Sequence, residues 1–100
     1  MIFITQLVYI IGGQESLFEE FESVALPAIS RYNGRLLLRL RPDAGCFLDT
    51  SIGRPYEVHL VEFETENDFE SFSRDEERKK FLHLKEASVQ STLLIKGEKL

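Results

Sequence analysis

Residues 3–41 read FITQLVYIIGGQESLFEEFESVALPAISRYNGRLLLRLR, which predicts a strand, a helix and a second strand in that order. The first strand, residues 3–11, is rich in β-branched and aromatic side chains and stops at two glycines. Apolar side chains then recur every three or four residues from Leu17 to Tyr32, as on one side of an amphipathic helix. Asn33-Gly34 supplies a left-handed stop, and residues 35–41 form the second strand before a proline.

The same order of elements follows in the second half of the chain. Residues 56–63 form a strand, Thr65 and Asp68 resemble a capping box at the start of a helix, and a further helical run extends from Asp75 to Ala87. Residues 91–96 form the last strand. The order β-α-β-β-α-β within 100 residues predicts an α+β fold, a ferredoxin-like sandwich formed by one domain, residues 1–100.

The predicted strands are apolar on both faces of the sheet. In the third strand, Val58 and Leu60 lie on one face, while Val61 and Phe63 lie on the other. Two helical layers cannot cover both faces, because in this fold the helices lie on one side of the sheet. We therefore expect a homodimer in which the open sheet faces of two copies cover each other.

Composition limits the function classes. The chain is 43% apolar, which predicts a packed core, and its net charge of −5 disfavours nucleic acid as a partner. No apolar run is long enough to cross a bilayer, and the N-terminus lacks the basic start of a signal peptide. The single cysteine, Cys46, excludes an internal disulfide and favours a reducing compartment. We expect a cytoplasmic protein without membrane or nucleic-acid contacts.

Residues 56–65, Asp68-Phe69 and the later Arg78 to Leu84 resemble the signature of the dimeric α+β-barrel superfamily, and the nearest pattern is that of the domain of unknown function 1330 group. The resemblance implies that two sheets pack face to face into a barrel. It also implies one of two functions: a small-molecule-binding module, or a cofactor-independent monooxygenase- or isomerase-like enzyme acting on a small aromatic or carboxylate compound. This sequence departs from the pattern at Glu64, where relatives often have proline, and in its long loop, residues 42–55.

Arg39 and Glu62 are the first candidates for a ligand site. Strict alternation from Leu36 would turn Leu36, Leu38 and Leu40 towards the helices and Arg39 towards the open face. Glu62 is expected on that open face too, because it alternates with the inward Phe63. Such a pair could bind a carboxylate or enolate, with arginine as the donor. A structural salt bridge is the alternative.

Three further residues are candidates. Alternation puts His59 on the same face as Phe63 and opposite Glu62, either as a buried structural histidine or as a general base, and the sequence leaves open which side of the sheet that face is. Tyr9 could line a pocket, and Arg54 could place a cation over it from the end of the long loop. The two histidines and one cysteine are widely separated, so no metal site and no cofactor are predicted. The absence of a histidine from the predicted barrel face favours the binding module over the enzyme.

Overall fold

The computed structural model describes residues 1–100 and confirms the predicted α+β, ferredoxin-like order of elements. Four strands form one sheet in the order β2-β3-β1-β4, and all neighbouring strands are antiparallel. The strands are β1 (Ile2–Ile10), β2 (Gly34–Leu40), β3 (Glu57–Phe63) and β4 (Val89–Gly97). The helices, which pack on one face of this sheet, are α1 (Glu15–Ala28), α2 (Glu66–Ser73), α3 (Glu76–Lys80) and α4 (Leu82–Ser88).

The ends of the helices follow from local side-chain chemistry. A short 3-10 turn, Ile29–Tyr32, extends α1 and ends at Asn33, whose φ of 55° is left-handed. Thr65 and Asp68 form the predicted capping box at the start of α2. The helical run predicted from Asp75 is two helices, because the chain leaves helical geometry at Phe81. No helix has both the length and the apolarity to cross a membrane.

The core between the sheet and the helices has two parts. One part joins β1 and β3 to the 3-10 turn that follows α1, through Ile4, Ile29, Val61 and Phe63. The Phe63 ring packs against two rings of α2, Phe69 and Phe72, with centroids 5.6 and 5.4 Å away. The other part joins α1 to α4 through Phe21, Ala25 and Leu84.

A β-bulge at Leu37 changes the sheet face to which each later side chain of β2 points. Leu36 pairs with Val61, but the next paired residue, Leu38, faces Leu60, so β2 carries one extra residue. Because alternation resumes after the bulge, Leu38 lies on the open face and Arg39, opposite His59, lies on the helix-covered face. The prediction that Arg39 points to the open face together with Glu62 is therefore wrong. The bulge also moves Leu40 to the open face, opposite Val58.

The open face of the sheet is apolar. The molecule is a slab of 36 × 35 × 16 Å, with the helices on one broad side and the bare sheet on the other. On the bare side, the register places apolar side chains from all four strands next to each other: Phe3, Leu7, Leu38, Leu40, Val58, Leu60, Leu93 and Ile95. Ile95 is 50% exposed and Leu38 is 47% exposed. Both residues lie on the edge strands of this face, where they extend its apolar surface to both sides of the sheet.

Gly34 lies where β2 passes close to the Phe63 ring. A Cβ atom at position 34 would lie 2.6 Å from Cε1 of Phe63 and 2.7 Å from Cγ2 of Ile29. Because Phe63 is 1% exposed and held on all sides, we expect Gly34→Ala to reduce the free energy of unfolding by about 1–3 kcal/mol.

The matched control for this variant is Gly12→Ala, since a Cβ at Gly12 would meet no atom within 4 Å. Urea denaturation of both variants measures the difference. Equal stability of Gly34→Ala and Gly12→Ala would contradict the packing argument.

Candidate functional site

A group of ionisable residues with a buried centre and an exposed outer side, here named the charged cluster, lies between α1, the end of β2 and β3. It comprises Glu19, Glu22, Arg39, Arg41, Glu57 and His59. Helical spacing puts the two α1 glutamates on one face of the helix, and strand alternation puts both β3 members on the helix-covered face of the sheet. The bulge at Leu37 turns Arg39 to that same face.

His59 lies between two carboxylates at the centre of the cluster. Its Nε2 atom is 2.9 Å from Oε2 of Glu22 and is hydrogen-bonded to Oε2 of Glu57. The three residues are almost sealed, with exposures of 3% for Glu22, 1% for Glu57 and 5% for His59. Burial of charges at this depth is tolerated only when each charge has a partner.

Two arginines supply the partners from the outer side of the cluster. Arg39 donates through Nη2 to Oε1 of Glu22 at 2.9 Å and through Nε to Oε2 of Glu57 at 3.3 Å. Arg41 donates through Nη2 to Oε1 of Glu57 at 2.7 Å and also pairs with Glu19. With His59 protonated, the cluster has three positive and three negative groups, so its charges balance.

The contacts within the cluster determine which groups carry protons. Burial alone lowers the pKa of His59, but its contacts with Glu22 and Glu57 outweigh burial and raise the pKa from 6.5 to about 9. Burial raises the pKa of Glu57, but hydrogen bonds from His59, Arg41 and Arg39 outweigh it and hold the pKa below its usual range. Burial, with repulsion from Glu57, raises the pKa of Glu22. His59 is therefore an imidazolium at neutral pH.

A partly open cavity of about 310 Å³ lies beside the charged cluster, between the sheet and the helices. Most of its lining is apolar and comes from α1, α2 and the three strands β1, β3 and β4. Glu22 and His59 both reach its wall, and Gln6 and Thr92 add polar atoms. The cavity thus combines an apolar body with a few converging polar groups, as small-molecule sites do.

Two atoms of the cluster make no aligned hydrogen bond within the protein. Oε2 of Glu22 is the only sealed side-chain polar atom without an aligned hydrogen bond. Nδ1 of His59 also makes no hydrogen bond within the protein, and His59 lies in the wall of the cavity. Because Nε2 is held by the carboxylates, Nδ1–H can donate to an oxygen atom of a ligand.

Glu22, Glu57 and His59 also have the spacing of metal ligands, with their nearest donor atoms within 4.8 Å of one another. No spacing in the sequence indicated this grouping, because the three residues come from two separate elements. The raised pKa of His59 places a proton on Nε2 at neutral pH, and two guanidinium groups already balance the carboxylates. A metal ion would have to displace that proton, so the arrangement favours a proton over a metal ion.

The other predicted site residues lie elsewhere. Glu62 is on the open face, where it pairs with Arg35 at 3.0 Å. Tyr9 packs near Gly53 of the long loop, and Arg54 places its guanidinium over the Phe47 ring at 5.6 Å. The structure therefore brings together only His59 and Arg39 of the five predicted residues.

Sequence reasoning missed Glu22, Glu57 and Arg41. Glu57 and His59 do carry a readable signal, because they alternate with Val58 on a strand whose inward face is otherwise apolar. Glu22 carries little signal, since it resembles the solvated glutamates around it in α1.

Comparisons with known proteins agree on the fold. No model of a protein family matches the sequence, and no functionally curated protein matches it. A protein of unknown function from Rhodopseudomonas palustris has a similar structure, with a TM-score of 0.82 and 16% identity over 99% of this chain and 82% of that one. A NIPSNAP domain protein from Burkholderia xenovorans is also similar in structure, with a TM-score of 0.73 and 13% sequence identity, over 100% of this chain and 95% of that one. For a NIPSNAP family protein of unknown function from Agrobacterium tumefaciens, the TM-score is 0.70 and the sequence identity is 14%, over 97% of this chain and 86% of that one. At such identities the likeness shows the fold alone.

The raised pKa of His59 predicts how stability changes with pH. A histidine whose folded pKa lies above its unfolded value stabilises the protein fully below pH 6.5, and this contribution is lost as the pH rises through about 9. We expect the free energy of unfolding of the wild type to fall by up to about 3 kcal/mol across this range. The variant His59→Gln should be less stable at pH 6.5 and should not show this decrease.

The control is His83→Gln, which removes the exposed histidine of α4. Chemical denaturation at a series of pH values measures all three proteins. A decrease in His59→Gln as steep as that in the wild type would show that another group causes it.

Proposed function

We propose that this protein binds a small molecule in the cavity between its sheet and its helices. The observation that carries the proposal is the cavity itself, about 310 Å³ of largely apolar space with His59 and Glu22 at its wall. Its volume is at the lower end of the range of known ligand sites, so the ligand is compact. A single ring or a short chain with one hydrogen-bonding oxygen fits this chemistry.

The charge of His59 supports binding rather than general-base catalysis. With a pKa of about 9, His59 is an imidazolium at neutral pH and carries a proton on both ring nitrogens. It therefore has no free nitrogen that could accept a proton from a substrate. It can, however, donate through Nδ1–H to a carbonyl or an ionised oxygen. Glu22 and Glu57 fix the orientation of the ring from the other side.

An enzyme of the isomerase type is the second candidate, and one observation favours it. A fixed imidazolium beside an apolar cavity stabilises an enolate or another oxyanion, which such reactions form. Glu22 would be the proton acceptor, because it lies at the cavity wall and burial raises its pKa.

Filling the cavity should prevent binding. Ala25 is 7% exposed, lies on α1 and lines the cavity, so Ala25→Leu extends a side chain into the space. We use acetophenone as the probe, since it carries one ring and one carbonyl oxygen. In the wild type, the methyl NMR signals of Val61 and Leu94, which line the cavity, should shift and saturate. In Ala25→Leu, affinity should fall at least about tenfold.

The matched control is Ala87→Leu, which makes the same change at an exposed position of α4. It should bind acetophenone like the wild type. If the signals of Val61 and Leu94 do not respond in the wild type, the cavity is not a ligand site.

The assembly is also a proposal: two copies pair through their open sheet faces to form a dimeric α+β barrel. Support comes from the apolar side chains that all four strands present there, several of them between 38% and 50% exposed. Both copies would cover the same self-complementary surface, as a two-fold interface requires. Seen flat, the face formed by the four strands has an area of about 500 Å². Its accessible surface is larger, because the side chains project from it, and it approaches the area that each partner buries in a standard interface.

A charge in the middle of this face should separate the copies. Leu60 lies on the open side of the central strand β3, so Leu60→Glu would bury an unpaired carboxylate in each copy. We expect a dimer for the wild type and a monomer for Leu60→Glu in sedimentation velocity runs at micromolar concentration. The control, His83→Glu, changes an exposed residue on the helical side and should remain dimeric. A monomeric wild type would contradict the proposed assembly.

Two further assignments stay proposals. Kinship with the domain of unknown function 1330 group is supported by residues 56–65 and by the ferredoxin-like fold. A cytoplasmic location is supported by Cys46, a free and exposed thiol.

A further inference from the structure

Two cations line the same cavity from its helical wall: Arg78 of α3 and Lys85 of α4. Both side chains are half-buried. They differ from the neighbouring lysines of α3, which are more exposed and pair with glutamates, Lys79 with Glu76 and Lys80 with Glu77. A cation that has lost part of its water needs a counter-charge.

Arg78 has no carboxylate partner for its guanidinium group. That group lies over two aromatic rings, 5.9 Å from the centroid of Phe21 and 5.3 Å from that of Phe72, and donates to the carbonyl oxygen of Ser73 at 3.3 Å. Asp75, three residues before Arg78 in the chain, accepts instead from Arg31 and from the Tyr32 hydroxyl. Asp75 also accepts from the backbone N–H of Arg78.

Lys85 makes no salt bridge and no side-chain hydrogen bond within the protein, as the full set of polar contacts shows. Burial and the positive charge of Arg78 both lower the pKa of Lys85, which indicates that the two cations are close enough to repel each other. Burial likewise lowers the pKa of Arg78. An anion between the two groups would relieve both costs.

We propose that Arg78 and Lys85 form an anion subsite that holds the carboxylate of a small apolar acid. The inference rests on the proposed function, and it names the class of ligand. The carboxylate would lie between the guanidinium and ammonium groups, with the apolar body among Phe18, Phe21 and Phe72. The bound acid is an amphiphile, because the remaining lining is mostly apolar and an inorganic anion would leave it empty.

Octanoate and 1-octanol test the subsite, because they share an alkyl chain and differ in charge. Isothermal titration calorimetry of the wild type should show octanoate binding at least about tenfold more tightly than octanol. The variant Lys85→Met keeps the unbranched stem of the side chain and removes its charge. It should lose about tenfold in affinity for octanoate and nothing for octanol. The matched control is Lys79→Met on α3, which should bind both probes like the wild type.

The outcomes separate this inference from the proposed function. If octanol and octanoate bind equally well, or if Lys85→Met and Lys79→Met behave alike, the cavity binds ligands but the anion subsite is refuted. If neither probe binds the wild type, the cavity proposal itself fails. If inorganic phosphate binds as tightly as octanoate and competes with it, the subsite recognises negative charge alone. The inference that the ligand is an amphiphilic acid is then refuted. A thermal melt of Lys85→Met with the wild-type midpoint shows that the variant is folded.

Discussion

The neutralisation of two buried carboxylates is the constraint on which the rest of the structure depends. Glu22 and Glu57 lie almost sealed between α1 and β3, where an unpaired charge would cost several kcal/mol, of the order that unfolds a small domain. The bulge at Leu37 solves this problem by turning Arg39 from the open face to the covered one. Without the extra residue, the guanidinium would lie on the opposite side of the sheet from both acids.

The same network determines what the neighbouring cavity can recognise. The carboxylates take up Nε2 of His59 and raise its pKa, which leaves a cationic ring in the wall of the cavity. The residues that balance charge, Arg39 and Arg41, do not line the cavity themselves and act by positioning Glu22 and Glu57. The cavity and the bare sheet face lie on opposite sides of one sheet, so the proposed ligand site and the proposed dimer interface are separate surfaces.

The fold was accessible from the sequence because its signals are local. Period-two and helical patterns, Asn33 as a left-handed stop and the Thr65–Asp68 capping box each depend on residues close together in the chain. The site was less accessible. The prediction paired Arg39 with Glu62, and it failed because alternation was counted through Leu37 as if the strand were regular. Nothing in the run of leucines around Leu37 marks the bulge.

By itself, the sequence determined the order of strands and helices, the shared sheet face of His59 and Phe63 and the apolar character of both sheet faces. These properties follow from backbone periodicity and turn chemistry, which act over a few residues. Only the tertiary structure decided which charges meet. Glu22 lies 35 residues before Glu57 in the chain, and the register shift that brings Arg39 to them is a property of two paired strands. Pairing across such distances depends on how the layers pack, and a local pattern does not encode it.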